Sequence, residues 1–482
     1  MTPDSARAYH PRHVLTTTAA IVLAAGQGTR MRSRLPKVLH PVAGRPMIDH
    51  VLDALRSAGV DELVVVTGHG GDQVEAALGE RARTTRQEPQ RGTADATRIG
   101  LECLSPGVSR VLVTMGDAPL VTPALFAALV SEQSESEAAI SVLTARMGDP
   151  TGYGRIVRSA DGALQAIVED ADADAATRGI DEINAGTYCF DAGWLMANLG
   201  GVPASTSGEF YLTDLVAIAV SAGRAVTAVT APDAEMALGI NDRVALSRAE
   251  ERLRREIVER HMRNGVTIVD PATTRIDAGV EIGQDARIEP WTILEGDCVI
   301  AQDAVIGPHA HLCDSRVGPR SHVWQSVVEA ATVAEDVEIG PFAHLRPGAE
   351  IGARCRIGNF AEVKQSRIGA GTQQHHFSYI GDAEVGERVN IGAGVVTVNY
   401  DGTAKHRTRV DDDAFIGSDS MLVAPITIGE GAMTGAGSVV TRDVAPGKRV
   451  VGVPARPIEL RRHRRGHADT VPGVPSGTER NP

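Results

Sequence analysis

The 482-residue chain is poor in aromatics, with Phe, Tyr and Trp together making up 3% of it. Its interior must therefore be built from aliphatics and alanine, which suits thin, regular packing. Cysteine is scarce as well. Cys103, Cys189, Cys298, Cys313 and Cys355 are odd in number, scattered and without CxxC pairing, so they support neither a disulfide framework nor a structural zinc site and point to a reducing cytoplasm. Positive charge is in deficit, 48 Lys and Arg against 61 Asp and Glu. That balance works against a nucleic-acid or anionic-membrane surface but leaves a local phosphate pocket open. No apolar run approaches the ~18 residues of a membrane span, and Met1 to Thr18 has Arg7, Arg12 and His13 but no apolar stretch, so it reads as a short disordered extension.

What is present is ordinary globular content, 43% apolar and 23% charged, with an excess of glycine at 51 residues. The length suits two or three domains. From Ala19 onward, short β-branched runs alternate with amphipathic stretches: Ala20 to Leu23, Ile48 to Ala58, Leu63 to Val66, Val111 to Thr114. Buried strands followed by helices indicate a mostly parallel, Rossmann-like α/β sheet, which binds ligands at the carboxyl ends of its strands. This domain is expected over residues 19–240. Residues 241–264 then turn charge-rich, with Asn241-Asp242 capping Val244, Leu246, Leu253, Ile257 and Val258 on one helical face, a connecting helix.

Beyond it the period becomes six. Ile276, Ile282, Ile288, Leu294, Ile300, Ile306 and Leu312 recur without a break, and the repeat resumes at Ile339, Leu345, Ile351, Ile357 and Val363. It slips by one residue to Ile368 and Gln374, slips again before Val385 and Ile391, and finishes at Ile416, Leu422, Ile428 and Thr434. Six fits neither a helix nor a two-faced strand; it fits a left-handed parallel β-helix of hexapeptide repeats, each hexapeptide forming one side of a triangular coil. This domain is expected over residues 265–460. Tyr400 to Arg409 interrupts the stack with polar and basic residues and must leave it as a loop. Residues 461–482, basic and then rich in Pro, Ser and Gly, read as a disordered tail.

Leu23-Ala24-Ala25-Gly26-Gln27-Gly28-Thr29-Arg30-Met31 follows the first strand, and Pro36-Lys37 comes soon after. Glycines after a strand let the backbone approach a phosphate, and Arg30 and Lys37 can neutralise its charge. The spacing matches neither the dinucleotide fingerprint nor a P-loop. The whole run resembles the L-x-A-G-x-G-T-R-M…P-K signature of the sugar-1-phosphate nucleotidyltransferases. Together with the hexapeptide half, the chain resembles the bifunctional N-acetylglucosamine-1-phosphate uridylyltransferase/glucosamine-1-phosphate N-acetyltransferases, roughly from Ala19 to Val444.

For the first half that resemblance implies a UTP site at Leu23, Ala24, Ala25, Gly26, Lys37, Gln87, Gly92 and Thr93, with Gln87 and backbone groups reading the uracil edge. It implies magnesium on Asp117 and Asn241, and sugar contacts from Gly154, Glu169, Asn184 and the Tyr211-Leu212-Thr213-Asp214 segment. The implied reaction is in-line attack of the sugar phosphate on the α-phosphate of UTP, releasing pyrophosphate, with Arg30 and Lys37 stabilising charge. Two positions depart from the family pattern: Asp95, where Gly-Thr-Ala-His-Ala is usual, and Met115, where Tyr-Gly-Asp is usual.

For the second half the resemblance implies a homotrimer that acetylates glucosamine 1-phosphate from acetyl-CoA. His376 would be the general base, since histidine titrates near neutrality, and Glu362 would orient its ring from about one coil away. Arg346, Lys364 and Lys405 would grip the phosphate, and Tyr379, Asn390 and Asn399 the sugar. Ala393, Ser418 and Ala436, with Asn399, Tyr400 and Lys405, would take the acetyl-CoA arm. The family's Ser-Arg-x-Pro ending is replaced here by Val450 to Pro457, with Arg456 as a substitute. The implied product, UDP-N-acetylglucosamine, is a precursor of peptidoglycan and lipopolysaccharide. Two other readings remain: a single-function nucleotidyltransferase whose β-helix serves assembly or regulation, and a non-catalytic trimeric scaffold. His376, Lys364, Tyr379 and the Asn399 to Lys405 loop count against the first, and Arg30, Lys37 and Asp117 against the second.

Overall fold

A computed structural model describes residues 17–205 and 208–458. The chain forms two compact units. The first runs to Asn264 and includes 275–280 and 294–297; the second takes 265–274, 281–293 and the chain from Cys298.

The first unit is built on a nine-stranded sheet whose main path runs Val226–Thr230, Ile140–Arg146, Glu182–Asp191, Val108–Met115, Thr17–Ala24, Glu62–Thr67, Arg83–Arg86. All neighbours on this path are parallel except Glu182–Asp191, which is antiparallel to both strands beside it. Successive residues of Thr17–Ala24 feed two separate cores, Ala20, Val22 and Ala24 on one face and Ile21 and Leu23 on the other. Alternating side chains covered on both faces explain why this strand reads as an unbroken apolar run. Thr17 and Thr18 belong to this strand, so the expected extension ends two residues earlier than its sequence suggests; the rest of it lies outside the described residues, as does the tail at 461–482.

The charge-rich helix is Arg243–Arg263. Its cap is Asp242, whose Oδ1 accepts from the Val244 and Ala245 amides at 2.9 and 2.8 Å. It packs within the first unit: Glu250 Oε2 accepts from the Ala43 amide at 2.6 Å, and Arg252 pairs with Asp233.

The second unit is a left-handed β-helix of three parallel sheets, consecutive strands passing from sheet to sheet in turn as far as Val439–Val440. Among the described residues, only the last strand, Arg456–Pro457, runs antiparallel, against Arg449–Val451. One interior column stacks Ile288, Ile306, Val323, Ile339, Ile357, Gln374, Ile391, Ile416 and Thr434, each registered against the next. The repeat does not pause between Leu312 and Ile339. Val317, Val323, Val328 and Val333 fill that stretch as buried strand residues, but some sides there are five residues long, which hides them from a search for sixes.

Candidate functional sites

In the first unit the chain leaves the end of Thr17–Ala24 for the strands on one side, Glu62–Thr67 and Arg83–Arg86, then returns to its other side with Val108–Met115. Such a reversal of strand order opens a crevice at the carboxyl ends. A cavity of about 420 Å³ lies there, lined by Leu23, Ala24, Ala25, Gly26, Lys37, Gln87, Gly92, Thr93 and Asp117, all expected from the sequence. It also takes in Gln90, Glu209 and Tyr211. Gln90 and Glu209 carry no motif of their own and were missed for that reason. At Gly28, with φ 59°, a Cβ would lie 2.8 Å from Lys37 Cβ, so only glycine lets the turn fold back over that lysine.

Lys37 Nζ donates to Asn241 Oδ1 at 3.0 Å and pairs with the Asp117 carboxylate. Three residues far apart in sequence thus meet at one point, and Asp242 as helix cap leaves the Asn241 side chain free to face it. Asp117 and Asn241 present hard oxygens, the donor type a small divalent cation takes. Among the described residues no group of three or more His, Cys, Asp or Glu could hold a metal, so these two oxygens would have to be supplemented by water or substrate. The Tyr153 phenol pKa is raised, chiefly by burial; the Arg30 guanidinium opposes this, and the Asp117 and Asp242 carboxylates add to it, which puts Arg30 in the field of the same centre.

The sugar residues form an adjoining group. The hairpin pairing of Arg155 with Val168 sets Gly154 beside Glu169, and the Asn184 amide donates to Gly154 O at 2.8 Å. Asn184 Nδ2 donates to the Tyr188 hydroxyl at 2.7 Å. Glu169 accepts from Thr213 Oγ1 at 3.1 Å; its pKa is raised, mainly by burial and further by Asp214 and Asp172. Met115 packs against the turn that follows Asn184: a Cβ on Gly186 would lie 3.4 Å from Met115 Cγ. It forms wall rather than ligand.

In the second unit Arg346 NH1 donates to Glu362 Oε1 at 2.7 Å. Glu362 is registered against His344 on one side and Tyr379 on the other. Glu362 thus has Arg346 as a partner, beside its expected role toward His376. Rung neighbours here are 17 or 18 residues apart, so a residue 14 further on falls at the corner before Tyr379 rather than opposite Glu362. His376 is exposed at that corner, and the backbone carbonyl of His376 is held by Ser378 Oγ at 3.0 Å, which in turn accepts from Gln374 Nε2 at 2.9 Å.

Lys364 and Lys405 lie against each other. The Lys405 ammonium pushes the Lys364 pKa down, and Asp382 partly offsets the effect. Asn399 Nδ2 donates to Asp382, so Arg346, Lys364, Tyr379, Asn399 and Lys405 share one neighbourhood. The loop is shaped by Asp401, which accepts from the Thr403 and Ala404 amides at 2.8 Å and from His406 Nε2 at 2.6 Å, while Tyr400 bridges Lys405. Asn390 stands on another sheet, paired with Gln373 and Phe415, so one chain does not bring it onto the sheet that carries Glu362 and Tyr379. Ala393, Ser418 and Ala436 follow one corner upward: the Asp419 amide donates to Ala393 O at 2.6 Å and the Gly437 amide to Ser418 O at 2.8 Å. Arg456 is exposed beside Val451.

Fold and clusters together define a two-part transferase. The family profile for the MobA-like NTP transferase domain matches residues 20–183, that for the bacterial transferase hexapeptide matches 330–365, and that for the hexapeptide repeat of succinyl-transferase matches 407–442. The chain is 48% identical to the Bifunctional protein GlmU of Geobacillus thermodenitrificans over 430 residues, which is 89% of this chain and 94% of that protein. It is also 48% identical to the Bifunctional protein GlmU of Heliobacterium modesticaldum, across 90% of this chain and 94% of that one. The chain belongs to the bifunctional GlmU family. It is accordingly both a nucleotidyltransferase and an N-acetyltransferase, uridylylating N-acetylglucosamine 1-phosphate and acetylating glucosamine 1-phosphate. Among the described residues, no helix is long and apolar enough to cross a membrane.

Proposed function

We propose that the cavity at the strand ends carries uridylyl transfer and that the Arg346–Lys405 neighbourhood of the β-helix carries acetyl transfer. The observation that supports the first assignment best is the meeting of Lys37, Asp117 and Asn241 beside the glycine turn. Leu23 to Gly26, Gln87, Gly92 and Thr93 hold UTP, with the nucleobase at Gln87. Gly154, Glu169 and Asn184 hold the sugar hydroxyls and acetamido group. A phosphate oxygen of N-acetylglucosamine 1-phosphate attacks the α-phosphorus of UTP; the new P–O bond forms as the bond to pyrophosphate breaks. The attacking oxygen is already ionised, so no general base is required, and the task left to the protein is charge neutralisation by Lys37 and Arg30. Magnesium, held by Asp117 and Asn241, would supply further neutralisation of the triphosphate.

In the β-helix, Arg346, Lys364 and Lys405 bind the phosphate of glucosamine 1-phosphate, with Glu362 steadying Arg346. Two lysines pressed together repel, and a phosphate dianion relieves that repulsion. His376 takes a proton from the sugar ammonium, the free amine attacks the thioester carbonyl of acetyl-CoA, and a C–N bond replaces the C–S bond as CoA thiolate leaves. Ala393, Ser418 and Ala436 line the corner along which the CoA arm lies. The site is completed by neighbouring subunits of a homotrimer, which brings a second chain's Asn390 or loop within reach, and the enzyme works in the cytoplasm. The test is thiol release from acetyl-CoA by the wild-type protein and by His376→Ala. Release that requires glucosamine 1-phosphate and vanishes in the variant supports the assignment; release that survives in His376→Ala contradicts it.

A further inference from the structure

Gln87 is almost wholly enclosed, 2% exposed, yet it lines the nucleotide cavity. Both protons of its amide are already used. Nε2 donates to Gly92 O at 3.0 Å and to Asp95 Oδ2 at 2.9 Å. A primary amide has two donors on nitrogen and two lone pairs on oxygen; with the nitrogen saturated from within the protein, only Oε1 remains to meet a ligand. The direction in which a glutamine amide points is ordinarily interchangeable, and here it is not.

Both acceptors are firmly placed. At Gly92, with φ 98°, a Cβ would lie 2.5 Å from Phe210 O, and the loop around it is pinned by Phe210 N to Arg91 O at 2.8 Å, Ala94 N to Phe210 O at 3.0 Å and Leu212 N to Thr93 Oγ1 at 2.9 Å. Asp95 sits in the first turn of Thr93–Leu101 and is gripped by Arg98 at 2.9 Å. Burial works to raise its pKa, but the donors on Gln87 and Arg98 outweigh burial and hold it below the ordinary 3.8, so it is an ionised, acceptor-only group throughout the neutral range.

We propose that Asp95 is a positioning residue that locks the Gln87 amide with its oxygen toward the nucleotide, and so sets a preference for a base carrying a ring N–H. Uracil and thymine present such a proton at N3. Cytosine presents a bare acceptor there, which would face Gln87 Oε1 as two lone pairs in a buried site, the arrangement that discriminates most sharply. The inference rests on the assignment of the base to Gln87, and goes beyond it by naming what orients that side chain and which bases it rejects.

The test compares kcat/KM for UTP and CTP, each with N-acetylglucosamine 1-phosphate and pyrophosphate readout, in the wild type, Gln87→Ala, Asp95→Leu and Asp95→Asn. Leucine keeps the branched skeleton of Asp95 but removes its acceptors; asparagine keeps an acceptor. The expected result is that Asp95→Leu narrows the UTP:CTP ratio about ten-fold or more, chiefly through KM, while Asp95→Asn stays within about three-fold of wild type. The wild-type ratio should be flat from about pH 6 to about pH 9, since Asp95 does not titrate there. An unchanged ratio in Asp95→Leu alongside a collapsed ratio in Gln87→Ala would overturn the role of Asp95 alone. Retention of the ratio in Gln87→Ala would instead overturn the assignment of the base to Gln87. Equal losses for both nucleotides in Asp95→Leu, with a lowered melting temperature, would make Asp95 a packing residue only.

Discussion

The two units solve the same problem, holding a sugar phosphate, by opposite means. In the α/β unit the proposed cationic and oxygen ligands come from three distant stretches, Lys37, Asp117 and Asn241, drawn to one point where the strand order reverses. The cavity is walled by loops of a single chain. In the β-helix the proposed ligands follow the rungs: His344, Glu362 and Tyr379 are successive stations on one sheet, Arg346 just past His344 donates to Glu362, and a loop adds Lys405. A solenoid has no interior to spare once its aliphatic columns are filled, so its chemistry must sit outside, on an open face. Crossovers can build a closed pocket; stacked repeats build a surface that another molecule has to cover.

The largest effect expected from breaking this contrast is at Asp117. Asp117→Asn removes the carboxylate that pairs with Lys37, and pyrophosphate release with UTP should fall by about 10²- to 10³-fold, with acetyl transfer unaltered because nothing in the β-helix depends on that charge. A next, smaller effect separates two adjacent residues with different work. Asp242→Ala should lower stability by about 1 kcal/mol, as loss of a helix cap does, read as a shift in the urea midpoint of the first unit's transition. Asn241→Ala should leave that midpoint nearly unmoved while reducing uridylyl transfer by about ten-fold or more.

Smallest is a pH effect confined to the β-helix. Lys364 titrates below its ordinary 10.5 because Lys405 crowds it. For a base with a lowered pKa in the folded state, the charged form is the disfavoured one, so repulsion burdens the cluster at neutral pH and is relieved as pH rises through the lowered pKa. The same rise strips a positive charge from the phosphate site earlier than from a free lysine. Affinity for glucosamine 1-phosphate should therefore weaken severalfold on the alkaline side of neutrality, before the range in which an ordinary lysine titrates, and Lys364→Met should flatten that slope. An equal slope in the variant would assign the titration elsewhere.

Much of this was legible in the sequence, for reasons that differ between the halves. The sixfold spacing from Ile276 to Leu312 declares the coil because each side must point one aliphatic inward; the stretch from Val317 to Val333 escaped because shorter sides break the count while preserving the geometry. The glycine turn, Lys37 and Asp117 stand in a readable local pattern, and nearly all the residues expected around UTP do line one cavity. Partnerships were harder. Coil spacing alone suggests Glu362 for His376, but it does not reveal that register sets Glu362 against Tyr379 or that Arg346 donates to one of its oxygens. Asp95 was visible only as a departure from a pattern; its hold on Gln87 depends on a helix turn meeting a loop, which no spacing in the sequence encodes.

The measurement that bears most directly on the central claim, that one chain carries two separate sites, is a crossed assay. Pyrophosphate release from UTP and thiol release from acetyl-CoA would be followed in Lys37→Ala and in His376→Ala, both confirmed folded by their melting transitions. The account predicts that Lys37→Ala loses pyrophosphate release by about 10²-fold or more and keeps thiol release, and that His376→Ala does the reverse. Loss of both activities in either folded variant, or thiol release untouched in His376→Ala, would contradict it.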